Sequence, residues 1–230
     1  MDQSHAPSPL AGAVHDLATE VVLALRSGDH LATVCGAAGI DEDNRTGIAA
    51  VRVIGADLLL PSVLHGHHPH PGDLAVLHRA VREFPPRPDA SDAAVWSHWG
   101  MMSALHRTAS PTAPGADEPN AAWLEGAPWQ AFTHQLSVLA PLAVPAASSA
   151  VHRAAAHRVV DLSRGFVRAV RRRNWLQAAG AGRWLAALDG LPDSLGLDHG
   201  LDFVELMGGT DPRVALHVRA ARLMAEGRAR

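Results

Sequence analysis

Four histidines fall within six residues, His65, His67, His68 and His70, in the segment Leu64-His65-Gly66-His67-His68-Pro69-His70-Pro71-Gly72-Asp73. Imidazole is the commonest protein ligand for transition metals and the side chain that titrates nearest neutrality. The spacing lets two or three of these rings converge on one ion, with Asp73 as an oxygen donor, in a set suited to zinc, copper, nickel or non-haem iron. The plainer reading is a solvated His-rich turn, because no intact His-Glu-x-x-His or comparable ligand spacing accompanies it.

Further histidines fall on faces that the helical period marks as inward. His78 shares a face with Leu74, Leu77 and Val81, while His98 and His106 join Val95, Trp99, Met102 and Leu105. His152 shares a face with Ala155 and Val159, and His217 lies near Val214 and Val218. A buried polar group without a partner costs roughly 1–3 kcal/mol, so inward histidines need partners, and a metal or haem iron supplies one. Hydrogen-bonded core histidines are the plainer reading for each. Asp57 sits in a segment that is apolar nearly all round, with Arg52 as its expected neighbour. It is either half of a structural ion pair or an acid–base group.

The surrounding elements read as helices. Residues 1–9 form a loose tail. Helical spacing runs from Ala11 to Arg26, from Ile48 to a stop at Pro61, and from an Asp73 cap to Phe84. It resumes from Asp92 to Arg107, Ala121 to Ala140, Ser148 to Trp175, Asp198 to Met207 and Asp211 to Glu226. No stretch alternates as a strand does. The expectation is all-α: a bundle of about eight to ten helices in two halves, 10–107 and 121–230, joined by the Pro-rich linker 108–120.

Composition removes many function classes. The 230 residues carry 47% hydrophobic and 19% charged residues with net charge −3, which suits a folded protein without general affinity for nucleic acid. All basic residues are arginine and there is no tyrosine, so no Schiff-base or P-loop lysine exists. Cys35 is the single cysteine, which excludes an internal disulfide and a thiolate cluster from one chain. The di-iron bundle pattern fails because there is no Glu-x-x-His. A helix-turn-helix at Val34–Ile40 would lead into Asp41-Glu42-Asp43, which phosphates repel. His157 with Asp161, and the run Arg171–Arg173, read as a solvated, charge-laced face. Apolar runs such as Ala56–Leu64 fall short of a bilayer span.

These observations support three expectations. The first is a cytoplasmic, iron- or haem-dependent oxidoreductase acting on a small hydrophobic or aromatic substrate. Its ion is held by His65, His67, His68 and His70 with His78; Asp57, His98 and His106 serve the chemistry. Trp99, with Trp96 and Trp129, walls a pocket between the halves. The second is a non-catalytic helical ligand-binding or protein-interaction module. The third is a metal-free lyase or cyclase with a histidine acid–base. A homodimer is compatible with each, and neither nucleic acid nor membrane is an expected partner.

Overall fold

The computed structural model describes residues 8–28, 32–109, 117–145, 148–191 and 195–228. Of these residues 76% are helical and no strand occurs among them, so the all-α expectation holds. The helices outnumber the expected eight to ten because several of the elements read as one are broken. The tail lies outside the described residues up to residue 7, and the linker does so over 110–116.

The N-terminal part comprises α1 (Pro9–Ser27), α2 (Val34–Ala37), α3 (Arg45–Ile54), α4 (Leu60–His65), α5 (Pro71–Glu83) and α6 (Asp92–Ala109). Then come α7 (Ala122–Glu125), α8 (Trp129–Val138), α9 (Ala150–His157), α10 (Val159–Arg171), α11 (Trp175–Ala187), α12 (Leu197–Gly208) and α13 (Pro212–Arg228). Caps follow local chemistry: Ser8, Thr33, Asn44, Ser149 and Asn174 each accept a first-turn N–H of the helix they precede.

Two breaks depart from the sequence reading. The central apolar segment is interrupted at Gly55, whose φ of 67° ends α3 and starts a 3₁₀ turn over Gly55–Leu59. Pro61 does not end this segment. It sits in the first turn of α4, where the missing N–H has no intrahelical partner to lose. The long helix expected from Ser148 divides at Arg158, between α9 and α10. Arg45–His65 as a whole is long and apolar enough to cross a membrane by length and composition, which corrects the expectation that no run is. Yet 61% of its apolar window is buried inside the fold.

Buried side chains form two clusters. One lies among α1 to α6, and the other gathers α8 to α12 around α11. Helix α13 serves both: Ala215, Leu216 and Ala220 belong to the first, Val214, Val218 and Ala221 to the second. Trp96 of α6 is buried in the second cluster, so α6 also crosses. Small residues let α11 take its central place. A methyl group on Gly180 would stand 2.7 Å from the Ser137 carbonyl of α8.

Candidate functional site

The histidine loop is the end of α4 and the entry to α5. His65 is half-buried, with its Nε2 3.4 Å from the Leu25 carbonyl; His67 and His68 are exposed. His70, not Asp73, is the N-cap of α5, and its Nδ1 accepts the Gly72 N–H at 3.1 Å. Asp73 is buried one turn into α5 and reaches across to α2. It accepts from the Thr33 hydroxyl at 2.6 Å, the Val34 N–H at 3.1 Å and the Cys35 N–H at 2.8 Å. The carboxylate expected to help hold an ion is fully engaged as the anchor of a neighbouring helix start. Burial, followed by the nearby Asp73, pushes the Cys35 thiol well above its ordinary range and keeps it inert. Among the described residues no three His, Cys, Asp or Glu side chains converge in a way that suits a metal ion. The fold brings none of His65, His67, His68 and His70 into such a group.

The other expected site residues are dispersed. His78 is exposed, because α5 is rolled toward the side carrying Asp73, Val76, Leu77 and Ala80. The Asp73 anchor fixes that roll. His98 is buried, and its Nδ1 has no hydrogen-bond partner among the described residues. Burial, then the nearby Arg52 cation, lowers its pKa. His106 is half-buried two turns further along α6, about 12 Å of rise away, so the two rings do not share a site. The three tryptophans do not wall one pocket. Trp96 is core, donating to the Asn120 carbonyl at 3.1 Å, and Trp99 packs edge-on against it with ring centres 5.1 Å apart. Trp129 lies instead beneath Arg168 of α10.

Asp57 is where polar groups converge. The 3₁₀ turn after Gly55 aims it into the interior, and its side chain is 2% exposed. Its partner is not Arg52, which binds the Phe84 and Ala94 carbonyls and the Ser97 hydroxyl and so ties α3 to α6. It is Arg183, 0% exposed in the middle of α11, whose Nη1 donates to Asp57 Oδ2 at 2.7 Å across 126 residues of chain. Arg183 Nε donates to the Ala143 carbonyl at 3.1 Å. The sequence carried a signal for it: one arginine inside the otherwise apolar run Ala178-Ala179-Gly180-Ala181-Gly182-Arg183-Trp184-Leu185.

His217 of α13 completes the group, with Nδ1 3.3 Å from Arg183 Nη1 and 3.8 Å from Asp57 Oδ2. Guanidinium only donates, so Nδ1 accepts and the ring proton sits on Nε2. Burial above all, reinforced by the Arg183 charge, lowers the His217 pKa to about 4 against the opposing pull of Asp57. The ring is neutral at pH 7. Two polar atoms of the group, Asp57 Oδ1 and Arg183 Nη2, are buried without a hydrogen-bond partner among the described residues.

Asp57 and His217 line a chamber of about 310 Å³ where the two clusters meet. Val53, Ile54, Val138 and Leu216 give it apolar walls; Ser137, Asn174 and Gln177 add neutral polar groups. Arg213, also at the wall, is held by both carboxylate oxygens of Asp211, at 3.1 and 2.7 Å. The volume falls at the small end of the range for ligand sites. No protein-family model matches the chain, and no curated protein sequence or solved structure matches it either.

Proposed function

We propose that this chain is a helical small-molecule-binding protein whose ligand sits in the chamber over Asp57 and His217. The observation that carries the reading is a chamber of ligand size whose wall joins apolar side chains to the buried Asp57 and the neutral His217. Asp57 and Arg183 neutralise each other and His217 is uncharged, so the chamber favours a ligand without net charge. The Asp57 carboxylate is an acceptor and the His217 ring N–H a donor. A hydroxyl or primary carboxamide on an apolar body answers both groups at once.

Binding is favoured over turnover because His217 is a poor base near neutrality: its Nδ1 lone pair is already engaged by a cation. His98 and His106 do not line the chamber, and the iron or haem reading has no converging donors among the described residues to support it. A cytoplasmic setting belongs to the same proposal and rests on the buried free thiol of Cys35.

The test is calorimetry against a library of small neutral alcohols and amides, with amines and carboxylates of matching size. The expected hits are neutral. They weaken by about tenfold or more in Asp57→Asn, the scale of a charge-assisted hydrogen bond, and vanish in Val138→Trp, which blocks the mouth from an exposed position. A library with no binder, or hits indifferent to both variants, overturns the reading.

A further inference from the structure

The surface of α10 away from the core carries Val160, Arg164, Val167 and Arg171, spaced 4, 3 and 4 residues apart. That is the seam of a helix made to lie against another helix. Here valine alternates with arginine. Trp129 and Leu195 flank the stripe, and the groove they form is about 840 Å³ and open. Val160 and Val167 are exposed; Arg164 stands 3.8 Å from Asp161 of its own helix, and among the described residues no acid pairs with Arg171. Such a seam takes a helix that offers apolar residues to the valines and carboxylates to the arginines.

The chain itself has such a helix. On α12, Phe203, Leu206 and Met207 are exposed, Leu206 at 81%, beside Asp198, Asp202 and Glu205. Asp202 and Glu205 also meet Arg222 of α13, which leaves the α12 face acidic by a smaller margin than its own residues suggest. The two faces adjoin. Phe166 of α10 packs directly over Gly200 of α12, where an added methyl would come within 2.8 Å of the ring, and Leu195 precedes α12 by two residues. A basic apolar face bordering an acidic apolar one is self-complementary under a two-fold rotation: α12 of each copy meets α10 of the other.

We infer that the partner of this surface is a second copy of the chain, in a homodimer built from two reciprocal contacts between the α10 seam and the α12 face. Light scattering after gel filtration, over a concentration series up to about 100 µM, reads a mass near twice the 24.2 kDa of the chain, falling as salt is raised. Arg164→Glu/Arg171→Glu and Asp198→Arg/Asp202→Arg are each monomeric, because each sets like charges against each other in both contacts. Mixed in equal amounts they pair, since both contacts of the mixed dimer then oppose unlike charges. That positive result also shows that both variants fold. Leu206→Asp, at an exposed position, is monomeric as well. A wild-type protein that stays monomeric throughout the series overturns the inference, as does a dimer insensitive to Leu206→Asp, or charge-reversed variants that fail to pair when mixed.

Discussion

The histidine loop and the Asp57 group are opposites in how they are built. The loop brings four imidazoles together by sequence adjacency, and the fold then leaves His67 and His68 in solvent while giving His70 a capping task. The Asp57 group draws one residue each from a 3₁₀ turn, α11 and α13, and buries all but a sliver of them. Proximity along the chain gives no control over where lone pairs point. Proximity through packing fixes partner, tautomer and burial together. Reactivity is determined by the second kind of neighbourhood.

The sharpest way to break this contrast is Arg183→Met. Removing one partner of a buried ion pair leaves Asp57 uncompensated, and the expected loss is about 3–5 kcal/mol in denaturant unfolding. Adding Asp57→Leu to that variant should recover a large part of the loss, because no bare charge then remains. Additive losses would mean that the two residues act separately, and the group as described would dissolve.

The next effect is pH-dependent. A histidine whose folded pKa is lowered binds its proton more readily when unfolded. The stability tied to a neutral His217 is therefore complete above about pH 6.5 and drains away as pH falls toward 4. The slope approaches one proton, about 1.4 kcal/mol per pH unit, and the total is about 2–3 kcal/mol for a ring still 12% exposed. His217→Gln should flatten that part of the profile, leaving the smaller same-sign contributions of the buried His98 and the half-buried His152. An unchanged profile would move the acid sensitivity elsewhere and weaken the case for a neutral ring beside Arg183.

How much of this was legible follows from which interactions are local. The 3.6-residue period and the cap residues marked α1, α6, α12 and α13 to within a few residues, since these signals are written in consecutive positions. The periodic pattern also placed His217 inward, and the apolar surroundings of Asp57 in sequence did the same for that residue. It did not show that Gly55 would adopt a positive φ, or that α5 would roll and turn His78 outward; both depend on what packs against the helix. The pairing of Asp57 with Arg183 spans 126 residues, so it was not readable from spacing, which offered Arg52 instead. Arg183 itself stood out only as one charge in an Ala- and Gly-rich run.

Within the loop region the comparison sharpens at Asp73. This carboxylate behaves like the buried group and unlike its histidine neighbours: it holds the Thr33 hydroxyl and two backbone N–H groups at the start of α2. Asp73→Ala is expected to cost about 2 kcal/mol by leaving those donors unpaired, measured as a shift in unfolding midpoint with an unchanged slope. A loss well under that would mean that α2 has another anchor.

His67→Ala/His68→Ala is the smallest expected effect and the one that would reverse the comparison. Both side chains are exposed, and substitutions at such positions usually move stability by no more than about 0.5 kcal/mol. Elemental analysis of protein purified without an affinity tag should show no stoichiometric metal whose content depends on these two residues. One equivalent of metal in the wild type, lost in the double variant, would mean that the loop rearranges to turn its ring nitrogens toward one ion. The Gly66 turn and the two prolines that flank His70 leave a short, stiff path for that. His70 would also have to release the Gly72 N–H, uncapping α5 as the ion bound. Metal affinity would then be coupled to fraying of that helix, so loading the ion would raise the melting temperature of the wild type and leave the double variant unmoved.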